Sequence, residues 1–163
     1  MRGSPSIFQC AIVITNQIHV AILDDDPTIR TALVRLLKAT GMVAHAHATS
    51  NELFESAARK CPDCLLLDLE MPEMDGLDVL KCLNQRNFRI PTIIITGHPE
   101  KVSQEARMNA EIIAVLSKPL DAHQLIQLIV KISAPGLSKT LSGLLPSEDI
   151  GRQAQTERGL KRA

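Results

Sequence analysis

Five short apolar runs, each followed by a stretch with helical spacing, constrain this chain more than any other feature. They span residues 19–23, 42–48, 64–67, 92–95 and 112–116. Apart from 42–48, which carries His45 and His47 and reads as a polar strand near an edge, they are almost continuously apolar. Continuous apolar strands are those buried on both faces. Parallel strands need a crossover long enough for a helix, and the intervening segments supply one each time. The alternation therefore predicts an α/β fold with a parallel sheet and helices on both faces.

The helix signals are local. Asp26 suits a cap and Pro27 a first turn; Ile29, Leu33, Leu36 and Leu37 recur at helical spacing, and Gly41 ends the segment. A second helix opens at Ser50-Asn51-Glu52 and ends near Arg59, and a third follows Asp75-Gly76 with Leu77, Val79, Leu80 and Leu83. A fourth is predicted from about Pro99 to Met108. Asp121 caps a fifth, with Leu125, Ile126, Leu128, Ile129 and Ile132 directed inward.

Composition excludes several function classes. Of 163 residues, Lys plus Arg and Asp plus Glu number 18 each, so no global charge draws the chain to nucleic acid or membrane. Trp and Tyr are absent, which removes the stacking platforms used to bind single-stranded nucleic acid. No apolar run approaches the roughly 20 residues that span a bilayer. Residues 1–17 read as a leader, disordered or extraneous to the fold: the apolar stretch from Ile7 is broken by Gln9, Asn16 and Gln17, and no small-residue cleavage site follows it. Residues 18–133 read as the folded unit. After Ala134-Pro135-Gly136 the texture turns polar and Gly/Pro-broken, so 134–163 read as a linker or flexible tail.

The cysteines are Cys10, Cys61, Cys64 and Cys82. Cys61-Pro62-Asp63-Cys64 lacks the second pair that a zinc site needs and runs into a strand where a redox pair would open a helix. We read both as small apolar residues at a strand start, in a reducing cytoplasmic compartment. His45 and His47 share a face of their strand and read as exposed histidines in preference to a metal pair.

The chemistry lies just past the strand ends. Asp24, Asp25 and Asp26 follow the first strand, Asp68 the third, Thr96-Gly97 the fourth and Ser117-Lys118-Pro119 the fifth. In an open parallel sheet these positions converge on one crevice. Asp24, Asp25 and Asp68 would repel one another there unless a cation neutralises them, and oxygen ligands of this kind suit magnesium. A carboxylate can also attack a phosphoryl donor to give an acyl phosphate. Asp68, between a fully apolar strand and a Pro-containing loop, is the candidate nucleophile. Lys118 would pair with it or with a phosphoryl oxygen, Thr96 would hydrogen-bond another oxygen, and Gly97 leaves room for the donor. His98 sits at the rim, placed to tune water access.

This ordered set, with Asp68 in Leu-Asp-Leu-Glu-Met-Pro-Glu-Met-Asp-Gly, resembles the receiver (phosphoacceptor) domain of two-component response regulators over residues 18–133. The resemblance implies a flavodoxin-like, doubly wound five-stranded sheet in the order 2-1-3-4-5. It implies that Asp68 takes phosphate from a histidine kinase or histidine phosphotransfer protein, with no enzymatic activity beyond the domain's own phosphorylation and dephosphorylation. Mg2+ or Mn2+ would be held by Asp24, Asp25, Asp68 and the Glu70 backbone carbonyl, and Lys118-Pro119 would be a cis peptide. Output would pass through a downstream protein target, and reach DNA only through an output domain outside this segment.

The chain departs from the pattern twice. Val115 stands where the family usually carries Phe or Tyr, and Glu111-Ile112 replaces the usual Gly-Ala before the fifth strand. Both predict weaker or different signalling from the helix four to helix five face. Two other readings fit parts of the sequence. Asp24-Asp25-Asp26-Pro27-Thr28 also matches the opening of haloacid-dehalogenase-like phosphatases, with Asp24 as nucleophile; that reading lacks the second acidic pair after Lys118 and leaves Asp68 unexplained. A receiver belonging to a truncated helix-turn-helix regulator is the other, although the tail is too short and too broken for that module.

Overall fold

The computed structural model describes residues 17–133; the expected leader up to residue 16, the tail 134–163 and Cys10 lie outside the described residues. The strands are β1 (His19–Leu23), β2 (Val43–His47), β3 (Cys64–Asp68), β4 (Thr92–Thr96) and β5 (Ile112–Ser117). Between and after them run α1 (Pro27–Ala39), α2 (Ser50–Arg59), α3 (Gly76–Gln85), α4 (Gln104–Arg107) and α5 (Ala122–Ser133). All pairings are parallel, and the sheet order is β2-β1-β3-β4-β5. This is the doubly wound, flavodoxin-like order expected from the resemblance.

Strand alternation sorts the core into two layers. Val20, Ile22, Leu66, Ile93 and Ile95 face α1 and α5, meeting Leu33, Leu37, Leu125 and Ile129. Ala21, Leu23, Leu65 and Leu67 face α2 and α3, meeting Leu53, Phe54, Val79, Leu80 and Leu83. With aliphatic side chains on both faces, β3 is buried along its whole length. That rigid central strand carries Asp68 at its end.

Capping follows the sequence signals. Asp26 accepts from the Thr28 N–H at 2.7 Å, Asp75 from Leu77 at 2.8 Å, and Asp121 from His123 and Gln124 at 2.8 and 3.2 Å. Gly41 follows α1 at φ 81°, the left-handed conformation that glycine adopts without steric penalty. Among the described residues no helix is long and apolar enough to cross a membrane.

Two expectations need correction. The predicted helix 99–108 is a 3-10 turn at Pro99–Lys101 and then one α-turn at Gln104–Arg107. Val102 causes the break: it takes an extended conformation and buries itself beside Leu69 and Ile94. Ser103 then caps a new helix, accepting from the Ala106 N–H at 3.1 Å. His47 is the second case. It is 8% exposed, whereas His45 on the same strand is exposed. Burial lowers the pKa of His47, partly offset by Glu52 of α2.

Glu111 also has a role. Its carboxylate accepts from Arg89 Nη1 at 2.6 Å and Asn84 Nδ2 at 3.4 Å, tying the start of β5 to α3 and the loop after it. Cys64 opens β3 fully buried, and burial pushes its thiol up to about 12; Cys61 is exposed, and both are free thiols. That is an inert packing role for Cys64.

Candidate functional site

Residues from three strand ends meet at the carboxyl edge of the sheet. Asp24, Asp25 and Asp68 place carboxylate oxygens within 4.8 Å of one another. Asp24 and Asp68 are buried, at 3% and 4% exposure, whereas Asp25 is exposed. Lys118 reaches over from the end of β5 and bridges the two buried groups, its Nζ lying 3.2 Å from Asp68 Oδ1 and 3.5 Å from Asp24 Oδ2. The backbone seats that lysine: Ser117 pairs with Thr96, and the Lys118 N–H donates to the Thr96 carbonyl at 2.8 Å. The Lys118–Pro119 peptide is cis, as the resemblance implied.

Burial raises the pKa of Asp68 above the ordinary carboxylate value; Lys118 pulls it down, but not enough to offset burial together with the neighbouring Asp24. Lys118 moves the other way for a linked reason. Burial alone would lower it, and the fields of Asp24 and Asp68 hold it above the usual lysine value. The site therefore has more buried negative charge than one ammonium can balance. Its donors are carboxylate oxygens, the ligand type of hard cations. The residues fit a divalent oxygen-loving ion.

The loops around the carboxylates are braced. Asp24 Oδ1 accepts from the Asp26 N–H at 2.8 Å, which leaves Oδ2 facing Lys118. Arg30, from the first turn of α1, donates to the carbonyls of Asp24 and Asp25 at 2.7 and 2.9 Å. Thr96 is fully buried; its hydroxyl oxygen accepts from the His98 N–H at 3.0 Å. The Glu70 side chain turns outward to the rim, to Lys101 at 3.2 Å and His98 Nε2 at 3.6 Å. A Cβ added at Gly97 would meet only Glu70 Oε2, at 3.9 Å, so the approach beside Thr96 is open.

Two supporting residues escaped the sequence reading. Arg30 gave no signal beyond its place on a helix. Gly76 read only as a helix start, yet a Cβ there would lie 2.6 Å from the Asp68 carbonyl oxygen and 3.1 Å from the Leu69 Cα. Its φ is not in the left-handed region, so the requirement is one of space alone. An acidic cap followed by glycine, eight residues beyond a strand-end aspartate, was the only available hint.

Comparison with known proteins identifies the family. A family profile described as the response regulator receiver domain matches residues 20–130. The chain is 36% identical over 110 residues to the DNA-binding transcriptional regulator NtrC of Salmonella typhimurium, covering 68% of this chain and 24% of that protein. It is 31% identical over 107 residues to the response regulator protein TodT of Pseudomonas putida, covering 66% of this chain and 47% of that one. The chain thus spans about a quarter to a half of the curated relatives it matches. Among solved structures, a response regulator receiver domain protein from Clostridium thermocellum superposes with a TM-score of 0.64 at 25% identity, over 71% of this chain and 93% of that one. A CheY-like receiver domain from Methylobacillus flagellatus, at 19% identity, shares the fold with a TM-score of 0.65 over 71% of this chain and 98% of its own. With the profile covering most of the chain and the sheet order matching, the chain belongs to the response regulator receiver domain family.

Proposed function

We propose that residues 18–133 form a phosphorylation-dependent signalling receiver in which Asp68 accepts a phosphoryl group from a histidine kinase or histidine phosphotransfer protein. The observation that supports it most is the pairing of a buried carboxylate cluster with a lysine 3.2 Å from Asp68 Oδ1. A carboxylate oxygen of Asp68 attacks phosphorus, the P–N bond to the donor imidazole breaks, and the electron pair leaves with that nitrogen, which takes up a proton. The product is an acyl phosphate on Asp68 and a free histidine on the donor. Lys118 would hold Asp68 ionised before attack and pair with a phosphoryl oxygen afterwards. Thr96 can turn its hydroxyl proton toward another phosphoryl oxygen, because the His98 N–H uses only its oxygen lone pair. Glu70, Lys101 and His98 stand at the rim, where they limit the approach of water.

Asp24, Asp25, Asp68 and the Glu70 backbone carbonyl would hold Mg2+ or Mn2+. When bound, that ion neutralises the carboxylates and the charge of the incoming phosphoryl group. Output would run through contacts with a downstream protein, or through a domain outside this segment. The name of NtrC makes a DNA-binding output one version of that proposal.

The primary experiment is incubation with acetyl phosphate and magnesium, followed by mapping of the acyl phosphate by mass spectrometry. Modification at Asp68 supports the reading; modification at Asp24 would favour a phosphatase-type nucleophile instead. A second expectation concerns stability. A cation that binds only the folded site raises the melting temperature as its concentration rises. Magnesium at millimolar levels should stabilise the protein, and Asp25→Ala should remove that dependence. A melting curve unchanged across the titration would count against the metal site.

A third expectation concerns signalling. Val115 is half-buried beside Leu69, Ile94 and Val102, paired in register with Ile94. A β-branched side chain has few rotamers to exchange. A ligand at Asp68 can shift the β5 face only by its differential affinity for two states of that face. Amide shifts with beryllofluoride should therefore be large at Asp68, Gly97 and Lys118 and modest from Glu111 to Leu116. Changes at Val115 as large as those at Gly97 would overturn this.

A further inference from the structure

A second polar cluster lies at the other end of β1 from Asp24. His19 opens β1 and His45 lies on β2, where it pairs with Ala21. His19 is two residues before Ala21, so both histidines project from the same face. Their rings are nearly parallel, 7° apart, with centroids separated by 6.1 Å. Lys60, at the end of α2, brings its Nζ to 2.7 Å from His19 Nε2. An ammonium can only donate, so Nε2 accepts and the ring proton of neutral His19 sits on Nδ1. That Nδ1 is buried and has no partner.

These three side chains, with Ala21, Leu53, Ser56 and Pro62, line a cavity of about 110 Å³. Its floor is apolar: Ala21 is 3% exposed and Leu53 is fully buried. No lining residue is acidic. The carboxylate of Asp63, next to Pro62, is already committed to the His19 backbone N–H at 2.8 Å. The lining therefore gathers one cation, two imidazoles and a hydroxyl, with no anion among them. An oxyanion would accept charge-assisted hydrogen bonds from the remaining Lys60 N–H groups and a further one from the His45 ring, with His19 Nε2 orienting Lys60.

We propose that this cavity is a binding site for a small oxyanion, a carboxylate or a phosphate carried on a short apolar group, held by Lys60 and His45, with His19 positioning Lys60. The head group meets the basic side chains, and the apolar part rests on Ala21 and Leu53. β1 separates this site from the aspartate cluster by five residues, roughly 17 Å of extended chain. It is therefore distinct from the phosphoryl site and does not depend on the reading of Asp68. The other charged groups nearby are Glu52 of α2, which acts on His47, and Asp63 in the turn into β3.

The experiment uses Asp68→Asn protein without metal, which keeps phosphate from reporting on the aspartate cluster. Sodium butyrate and inorganic phosphate are titrated separately at constant ionic strength near pH 6, following the ring C2 protons of His19 and His45. The expected result is a saturating shift at both rings. Lys60→Gln should weaken binding about tenfold or more, the loss of one charge-assisted hydrogen bond. His45→Gln provides a second variant if the first fails to fold. Saturation by butyrate identifies a carboxylate site, and saturation by phosphate alone a phosphoryl site. Shifts that grow linearly with both anions, equal shifts with matched sodium chloride, or unchanged affinity in the folded variants would overturn the proposal.

Discussion

Asp68→Asn is expected to reduce phosphoryl incorporation from acetyl phosphate to background while the protein stays folded. The amide nearly matches the carboxylate in shape but has no anionic oxygen to attack phosphorus. Stability separates loss of chemistry from loss of fold. The folded Asp68 carboxyl has a raised pKa, so it keeps its proton to a higher pH than the unfolded one. Its favourable contribution is complete below the unfolded value, near 3.8, and is lost as pH rises through the folded value. Above that folded value the ionised, buried group is a net liability without a cation. Asparagine removes that liability, so the metal-free variant should melt no lower than the parent at pH 7 and should lose most of the magnesium response. Incorporation that persists at the parent level in a well-folded variant would overturn the assignment of Asp68. A variant that melts well below the parent would mean that the Asp68–Lys118 pair stabilises more than burial costs.

Gly76→Val is expected to give the largest loss of stability among substitutions that touch no charged group of the site. α3 begins where the loop after Asp68 doubles back, and the Gly76 N–H bonds to the Leu69 carbonyl at 3.3 Å. A Cβ would sit 2.6 Å from the Asp68 carbonyl oxygen and 2.9 Å from Leu69 Cδ2. The Leu69 side chain can move; the Asp68 backbone cannot, because Asp68 pairs with Ile95 in the centre of the sheet. Overpacking of this kind costs about 1–3 kcal/mol, and valine adds two further methyl groups to a position that cannot hold one. Gly76→Ala should show the smaller version of the effect. Since α3 must retreat from the strand that carries Asp68, acetyl phosphate uptake should fall along with the melting temperature. Chemical denaturation and the incorporation assay, run on both variants, check this. A melting temperature within a degree or two of the parent for Gly76→Val would show that the loop yields.

Much of this molecule is written along the chain. The strands and four of the helices follow from local pattern because an apolar run buried on both faces, or an apolar stripe at helical spacing, looks the same in sequence as in space. The site residues were legible for a topological reason: an open parallel sheet brings the ends of its strands to one edge, so Asp24, Asp68, Thr96 and Lys118 had to converge. Local pattern could not supply distances. Whether Lys118 meets Asp24, Asp68 or neither depends on how β5 registers against β4, and only the fold sets its bridging position at 3.2 and 3.5 Å. Val102 carries no sign in the sequence that the third core cluster will claim it, so the helix around it reads as continuous although packing breaks it in two. His45 and His47 are equivalent by alternation; the fold buries His47 and sets His45 beside His19 and Lys60. The need for glycine at 76 arises from the return of α3 onto β3, a contact between backbones that no side-chain pattern encodes. The sequence by itself determined which elements form and which chemical groups reach the carboxyl edge, because periodicity and strand-end position are local properties. Register, burial and close approach are relations between segments distant along the chain, and only the tertiary structure decided them.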